Sequence, residues 1–450
     1  MISHLVQKEK RNSMVNDLKL TLESALTPQI KIDDGKKSYL QRVYHHPIDV
    51  NTFAFIRDNI ERIGVTDRFV DVIKTFDVKP GITPAGFRIE LNIEEQTKLN
   101  VDLVRDISYG ENGEKRPTNV IFSADSANPY EIEPIKNLIG NLTCNPGIIY
   151  DLFINNPKAN IDGKFKTRDE VMHEIGRILG PGCDISVELN NPYDDIDALL
   201  EECKHFKEML SEYRLVIKVP HTGPMDKETI NELLVGDKSF HARYNQGKTE
   251  DFLRGHNLAL RLHQEGYRVN FTLMFEPYQT ALALQAKPYF INSFVRHRLI
   301  QSNFVQGYLS AYEASKNTAF LVQLREYLVK NDHLPQSMKE LDLLSVKDYA
   351  QNLIDYRGFE EEGKDGLDSV RHNLRVLKQC NLPDTRLIIC SMEGPNNYPD
   401  IDRLLTEEEF RDMAGRVVIT AEPNYLAQFT STNQVVSYQR RFMNAANGQK

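Results

Sequence analysis

From residue 119 onward the sequence alternates between short runs of β-branched and other apolar residues and longer amphipathic stretches. Eight runs predict strands: Asn119–Asp125, Asn141–Asn145, Cys183–Asn190, Tyr213–Thr222, Arg268–Phe275, Pro288–Val295, Arg386–Met392 and Gly415–Glu422. Strands that alternate with helices in this number predict an α/β fold, a (β/α)8 barrel. An open, doubly wound sheet is the main rival. It favours a glycine-rich phosphate loop after the first strand, and the sequence has none there.

The segment before these runs has a different pattern. Apolar residues recur with helical spacing over residues 14–26 and 50–63. Gly110–Pro117 is polar and rich in turn-forming residues, as expected of a linker. We therefore predict a mostly helical N-terminal extension over residues 1–115.

The remainder, residues 116–450, is predicted to form the barrel domain. Two of its connections are long. One lies between the fourth and fifth strands and includes the polar stretch Val235–Glu250, and the other is a charged, helical insertion at about residues 300–383. Both connections are expected to lie outside the barrel and to leave its strand order unchanged.

Composition excludes several classes of protein. Lys and Arg total 55 against 64 Asp and Glu, a net charge of −9, which argues against nucleic-acid binding as the main task. No apolar stretch approaches the ~18 residues of a membrane span, and Met1–Asn12 lacks the apolar segment of a signal peptide. The five cysteines form no CxxC pair, so zinc and redox motifs are unsupported and a reducing cytoplasm is the simplest compartment. We expect a small-molecule partner, and a homo-oligomer is compatible with the sequence.

Lys218 stands in the apolar run Leu215–Pro220, which predicts a strand buried on both faces. An unpaired ammonium in a dry interior costs several kcal/mol, so burial is expected to lower the pKa of this amine. A neutral amine can attack a carbonyl, as a Schiff-base lysine does. The alternative is a lysine that pairs with a carboxylate at the strand end.

Polar residues accompany Lys218 on the neighbouring strands. Side chains alternate along a strand, and the predicted strands carry polar residues near their carboxyl ends, where barrel enzymes place their chemistry: Asp125, Asn145, Glu188, Thr272 and Asn292. Structural barrels fill this space with Val, Ile and Leu. Taken singly, Asn145 is also typical of a turn before Pro146, and Glu188 could simply pair with Lys218.

This set of residues suits the chemistry of a lysine imine. The amine attacks a ketose carbonyl, and the carbinolamine that forms loses water with the help of a general acid and base. The protonated imine is an electron sink, so the adjacent carbon–carbon bond can break once a carboxylate removes the proton of the sugar hydroxyl. Asp125 and Glu188 are the two candidates, and different surroundings can give them separate roles.

Five segments in this order resemble the transaldolases, class I Schiff-base barrels of the pentose phosphate pathway. They are Phe122–Asn128 (FSADSAN), Leu142–Ile149 (LTCNPGII), Ile185–Leu189 (ISVEL), Ile217–Thr222 (IKVPHT) and Asn270–Phe275 (NFTLMF). The resemblance runs from about Asn119 to Leu426 and is carried by the set of segments together. It implies a barrel enzyme acting on a sugar or sugar phosphate.

The same resemblance implies a role for each matching residue. Lys218 would form the imine, and Asp125 would be the acid/base for carbon–carbon cleavage and formation. Glu188 and Thr272 would hold a water that shuttles protons, and Asn145 would hold a substrate hydroxyl. No metal and no organic cofactor is implied.

Two segments depart from the family pattern. In Asn292–Arg298, Asn292 replaces a serine and could still bind a sugar, while the phosphate-binding arginine falls on His297. Arg296 and Arg298 flank this position and could take over the phosphate contact.

In Ile389–Gly394 the family's Ser-Phe-Arg appears as Ser391, Met392 and Glu393. Ser391 remains a candidate substrate ligand, but a glutamate here would repel phosphate. We therefore expect a substrate that differs from the usual phosphorylated sugars or carries less negative charge.

The leading hypothesis is a transaldolase-like enzyme that transfers a dihydroxyacetone-type unit from a ketose to an aldehyde acceptor. The nearest alternative is a Schiff-base aldolase that releases the three-carbon unit without transfer, which the sequence does not separate from the first. A third possibility is a non-catalytic sugar-binding barrel. It would be favoured by the loss of Asp125, Glu188, Lys218 or Thr272, and all four are present.

Overall fold

The computed structural model describes residues 20–233, 240 and 244–449. The start of the predicted helix over 14–26 and parts of Val235–Glu250 lie outside the described residues. The chain divides into two compact units. The first comprises the residues up to Thr118 with the short segments Gly180–Cys183 and Glu212–Arg214, and the second comprises the remainder.

The first unit contains a four-stranded mixed sheet. Its strands are β1 (Lys31–Ile32), β2 (Arg62–Val65), β3 (Phe87–Glu94) and β4 (Lys98–Arg105), in the order β1-β2-β4-β3. Its helices are α1 (Leu22–Ala25), α2 (Lys37–Leu40), α3 (Val50–Asn59) and α4 (Asp67–Phe76). Buried side chains from both kinds of element, including Ile63, Phe69 and Leu103, form one hydrophobic core.

The helices of this unit agree with its predicted helical character, but the sheet was not part of the prediction. In β3, Phe87, Ile89, Leu91 and Ile93 alternate with polar residues, which is the period of a half-buried strand. β3 pairs antiparallel with β4 along its whole length. The helical spacing of apolar residues elsewhere in the segment is the stronger pattern. The prediction followed it and missed the alternation that marks β3.

The second unit is a closed barrel of eight parallel strands, as predicted. The strands are β5 (Ile121–Asp125), β6 (Ile139–Cys144), β7 (Asp184–Glu188), β8 (Arg214–Pro220), β9 (Val269–Thr272), β10 (Phe290–Phe294), β11 (Arg386–Cys390) and β12 (Val417–Ala421). They neighbour one another in chain order, and β12 closes the barrel by pairing with β5. Each strand overlaps one of the eight predicted runs.

Helices surround the barrel. They are α5 (Pro129–Ile132), α6 (Arg168–Leu179), α7 (Ile196–Met209), α8 (Thr229–Leu233), α9 (Thr249–Phe252), α10 (Arg254–Gln264), α11 (Gln279–Leu284), α12 (Val295–Ser315), α13 (Ala319–Lys330), α14 (Leu343–Tyr356), α15 (Asp368–Gln379), α16 (Asn397–Leu404), α17 (Pro423–Gln428) and α18 (Asn433–Ala446), with a π-helical segment at Gly147–Ile154. Within the part of the chain that the structure describes, no helix has the length and apolarity needed to cross a membrane.

The segment between β10 and β11 is helical and has a hydrophobic core of its own. α12, α13 and α14 contribute buried side chains to it, among them Val305, Leu324 and Ile354. A separate core lets this segment pack as a small bundle, in agreement with its helical periodicity.

Strand register brings polar side chains to one face of the barrel wall. Ser123 of β5 is paired with Asn141 of β6 and with Thr420 of β12, and Lys218 of β8 is paired with Asn270 of β9. Paired residues on neighbouring strands point to the same side. The opposite face of these strands is apolar and meets the helices, so the polar face is the barrel interior.

Candidate active site

Lys218 is buried close to the carboxyl end of β8, with 6% of its surface exposed. Its Nζ atom lies 3.1 Å from Oε2 of Glu188, the last residue of β7. The two strands are neighbours, and the N–H of Leu189 donates to the carbonyl of Lys218 at 3.4 Å. The lysine and the carboxylate therefore form an ion pair at the carboxyl ends of the strands, which we call the barrel mouth.

The pKa of Lys218 is raised, so the prediction that it is lowered was wrong. Burial does favour the neutral amine, but the carboxylates of Glu188 and Asp125 favour the ammonium and outweigh it. The resting lysine is thus protonated, and its proton must move before the amine can attack a carbonyl. Glu188 is the acceptor within hydrogen-bonding distance.

Asp125 closes β5 and has the properties of an acid/base residue. Its pKa is raised to about 6, because burial and the carboxylates of Glu422 and Glu188 outweigh the opposing effect of Lys218 and Arg296. Its Oδ1 atom is buried and has no hydrogen-bond partner among the described residues. A carboxyl group that titrates near neutrality, with one oxygen unused, can accept a proton and return it.

Thr272 is fully buried at the end of β9 and is held by Asn292 of β10. The Thr272 hydroxyl donates to Oδ1 of Asn292 at 3.3 Å. The Asn292 amide nitrogen donates to Oδ1 of Asn270 at 2.7 Å and to the Phe271 carbonyl at 3.0 Å. Both ends of the Asn292 amide are engaged within the protein. Both N–H groups of Asn292 are used in these bonds and its oxygen holds the Thr272 hydroxyl, while the sugar contact expected of it from the sequence stays a prediction.

Several inward-facing polar atoms lack a partner among the described residues. Besides the Asp125 oxygen, they are Nδ2 of Asn270, Oγ1 of Thr143 and Oγ1 of Thr420. Buried polar groups are paired in most proteins, so these inward-facing atoms are available to a ligand or to solvent. A polyhydroxylated ligand has hydroxyl groups to match this set.

Asn145 and Ser391 lie just beyond the strands that precede them. Oδ1 of Asn145 accepts a bond from the Ile148 N–H at 2.9 Å, as a helix-capping residue does, so its amide nitrogen is the part left for a substrate. Ser391 follows β11 with a φ of 59°. Its carbonyl accepts a bond from the N–H of Arg296 at 2.9 Å. A left-handed serine is strained by about 1 kcal/mol, and such strain clusters at functional sites.

Arg296 and Glu393 face each other at the barrel mouth. Nε of Arg296 lies 3.7 Å from Oε2 of Glu393, and both side chains are substantially exposed. Solvent weakens a pair of this kind, so each charge remains available to a ligand. An anion that approaches Arg296 also meets the carboxylate of Glu393.

Arg298 is enclosed in the protein, with 1% of its side chain exposed. Its Nε and one terminal nitrogen donate to both oxygens of Asp368 at 2.6 Å. The other terminal nitrogen donates to Oε2 of Glu276 at 2.7 Å. All three guanidinium nitrogens are thus engaged, and Arg298 is an internal ion-pair residue. The phosphate contact expected of it from the sequence has no support in this geometry.

Replacing Arg298 by methionine is expected to lower the free energy of unfolding by about 3–5 kcal/mol, because Asp368 would be left as an unpaired carboxylate and Glu276 would keep only its pair with Arg357. Denaturant titration measures this change. Arg296→Met is the matched control: it should leave stability within about 1 kcal/mol, since its ion pair is exposed, and alter KM instead. An Arg298→Met variant with normal stability and a raised KM would instead assign Arg298 to the substrate.

Glu422 is a mouth residue that the sequence analysis did not single out. It follows β12 directly, and its position two residues after Thr420 directs it to the rim of the mouth by the same alternation that identified Glu188, where it is exposed. The alternation of the sequence could therefore have identified Glu422.

Among the described residues no cluster of three or more His, Cys, Asp and Glu side chains could hold a metal ion.

The parallel eight-stranded barrel and a buried lysine beside two carboxylates define the class of enzyme. They are the features of class I aldolases and transferases, which work through a lysine imine. A search of curated proteins finds no match to the chain.

A family model matches part of this chain. Residues 122–333 match the model described as Transaldolase/Fructose-6-phosphate aldolase, and this part of the chain is similar to that family. The chain is thus a transaldolase-like class I transferase or aldolase. The matched range ends before β11 and β12, so Ser391, Glu393 and Glu422 lie outside it.

Proposed function

We propose that this enzyme cleaves and forms a carbon–carbon bond of a ketose through an imine on Lys218 and transfers a dihydroxyacetone-type unit to an aldehyde. The observation that carries the proposal is the position of Nζ of Lys218, buried in the barrel mouth and 3.1 Å from the Glu188 carboxylate. Asp125 supports it as a second carboxylate with a pKa of about 6.

Imine formation begins with a proton transfer. Glu188 accepts the proton of the Lys218 ammonium, and the neutral amine attacks the C2 carbonyl of the ketose. The carbinolamine then loses its hydroxyl as water, with the proton supplied through Glu188 and the Thr272 hydroxyl. The product is a protonated imine between Nζ and C2.

Asp125 is the base for the cleavage step. It removes the proton of the C4 hydroxyl while the electrons of the C3–C4 bond move into the protonated imine. An aldehyde leaves, and an enamine of three carbons remains on Lys218. In the forward transfer this enamine attacks the acceptor aldehyde, Asp125 returns its proton to the new hydroxyl, and hydrolysis of the imine frees the ketose product.

The test combines borohydride trapping with a product assay. A panel of phosphorylated and unphosphorylated ketoses is incubated with the enzyme and borohydride, and the adduct is located by intact mass and peptide mapping. An adduct on Lys218 supports the proposal, and the absence of any adduct across a broad panel contradicts it. Release of dihydroxyacetone without an acceptor distinguishes the aldolase from the transferase, which holds the fragment until an acceptor arrives.

The charge distribution of the mouth supports a ketose with little negative charge. Lys218 and Arg296 face the carboxyl groups of Asp125, Glu188, Glu393 and Glu422. Arg298 is already engaged elsewhere. Negative groups therefore outnumber positive ones, and a phosphate would be repelled in this setting.

Replacing Glu393 by arginine should improve the use of phosphorylated ketoses. The change removes a negative charge, releases Arg296 and adds a second guanidinium. One charge-assisted phosphate contact is worth about 1.5–3 kcal/mol, so kcat/KM should rise about tenfold or more. Steady-state kinetics with a phosphorylated ketose and its unphosphorylated counterpart measures the effect.

Glu393→Gln is the control for charge removal alone and should give a smaller gain. The unphosphorylated ketose should show little change with either variant. If Glu393→Arg leaves the phosphorylated substrate unaffected or makes it worse, Glu393 is not at the position where a phosphate would bind.

We also propose a cytoplasmic location. The five cysteines, all within the described residues, form no disulfide, which supports a reducing compartment. Burial raises the pKa of Cys144 to about 12 and also raises that of Cys390, so neither thiol of the barrel wall is suited to act as a nucleophile.

A further inference from the structure

Glu422 and Asp125 are neighbours across one edge of the barrel wall. β12 pairs with β5 in parallel, with Thr420 opposite Ser123 and Ala421 opposite Ala124. The residues that follow these two pairs are Glu422 and Asp125. By the alternation of Thr420 and Ser123 both are directed to the barrel mouth, where Asp125 is partly buried and Glu422 is exposed.

The Glu422 carboxylate makes neither a helix-capping hydrogen bond nor an ion pair among the described residues. Glu422 occupies the N-cap position of α17, yet its side chain makes no capping hydrogen bond. Among the described residues no cation lies within salt-bridge distance of it, although Lys218 and Arg296 have such partners. A glutamate that neither caps its helix nor forms an ion pair is free to act on its inward-facing neighbour.

We propose that Glu422 is a positioning residue for the reaction, which acts through Asp125 and makes that carboxylate a stronger base for the sugar hydroxyl. Like charges at adjacent positions disfavour each other's ionised form. The repulsion contributes to the raised pKa of Asp125, to which Glu422 adds more than Glu188 does. The inference rests on the proposed lysine-imine function and adds a residue to it.

The other charged groups around Asp125 do not supply this effect by themselves. Lys218 on β8 and Arg296 at the start of α12 both lower the pKa of Asp125, and only Glu188 on β7 raises it together with Glu422. Glu188 is bound to Lys218 at 3.1 Å, so its negative charge is largely compensated. Glu393 after β11 has Arg296 as its partner. Among the carboxylates around Asp125, Glu422 is the one without a paired cation in the described residues.

A base that is too weak takes up the hydroxyl proton poorly, and one that titrates near the working pH does so efficiently. Without Glu422, Asp125 would become a weaker base while the imine lysine and its partner Glu188 stayed in place. The loss should therefore appear in the cleavage step and in its pH dependence, and it should be absent from imine formation.

The experiment compares the full-length enzyme with Glu422→Gln, Glu422→Asp and Glu408→Gln. Glu422→Asp keeps the charge, and Glu408→Gln removes an exposed charge that precedes the same strand at its amino end. Two readouts are used: the pH profile of kcat/KM for ketose cleavage, and the titration of the Asp125 carboxyl by ¹³C NMR with aspartate labelling, assigned with Asp125→Asn.

In Glu422→Gln we expect the acid-side midpoint of both curves to fall by about half a pH unit, because Glu422 is exposed and solvent screens part of its charge. The kcat value above pH 7.5 should fall about twofold. Glu422→Asp should restore most of the shift, and Glu408→Gln should show none. Borohydride trapping on Lys218 should be equal in all variants.

An unchanged Asp125 titration in Glu422→Gln, or an equal shift in Glu408→Gln, overturns the inference. These results are separable from the fate of the proposed function. If the wild-type enzyme forms no trappable imine, the function fails, while the NMR titration still reports on the two carboxyl groups.

Discussion

Lys218→Met is expected to abolish imine trapping and to lower kcat by about 10⁴-fold or more, the scale on which the loss of a covalent nucleophile acts. Nζ of Lys218 is the buried amine of the mouth, and a thioether cannot form an imine with a carbonyl. The measurement is intact mass after borohydride reduction with a ketose that labels the wild-type enzyme, followed by steady-state kinetics with the same ketose.

Lys218→Arg provides the matched control, because it retains a positive charge beside Glu188 and forms no productive imine. Both variants should be inactive, while Lys218→Met alone leaves the Glu188 carboxylate without its partner and should be the less stable of the two. Thermal unfolding checks this order. A borohydride adduct that persists in Lys218→Met would place the imine on another lysine and remove the central residue of the proposal.

Asp125→Asn is expected to slow carbon–carbon cleavage by about 10²–10⁴-fold while imine formation continues. Asparagine keeps the shape of the side chain but cannot accept the proton of the C4 hydroxyl. The trapped adduct should therefore carry the mass of the intact ketose, whereas the wild-type enzyme without an acceptor also yields an adduct of three carbons. Intact mass spectrometry distinguishes the two species directly.

The pH profile gives an independent check on Asp125. Its pKa of about 6 predicts that kcat/KM for cleavage falls as pH decreases through 6, because the protonated acid cannot act as a base. The residual activity of Asp125→Asn should lack this decline. If the variant instead loses imine trapping, Asp125 acts in assembling the imine and is not the cleavage base.

The eight barrel strands were predictable because each combines a short apolar run with flanking turn residues, a pattern that local sequence determines. Alternation then placed Asp125, Glu188, Lys218 and Thr272 at one end of the barrel, where the structure finds them. The four-stranded sheet of the first unit was encoded equally clearly in β3 and was obscured by helical spacing nearby.

The electrostatics of the site were not predictable in the same way. Burial of Lys218 could be inferred from its own strand, but the sign of its pKa shift depends on carboxylates contributed by β5 and β7. Arg298 is similar, since its partners Glu276 and Asp368 lie 22 and 70 residues away in the chain. Ion pairs between residues so far apart in the chain leave no pattern in the local sequence. The motif Asn292–Arg298 instead suggested that Arg298 contacts a ligand.

The two-bond ion pair between Arg298 and Asp368 has a consequence for how this chain could have acquired its helical insertion. This ion pair joins the first turn of α12 to the first turn of α15, and its two residues are 70 positions apart in the chain. The helices between them therefore begin and end at the same place on the barrel. Arg357, near the end of the inserted helices, reinforces this junction through its ion pair with Glu276. An ancestor could therefore have accepted the extra helices, or a descendant could exchange them, without altering the register of β10 against β11. The junction therefore allows the inserted helices to vary while the barrel wall keeps its strand pairing.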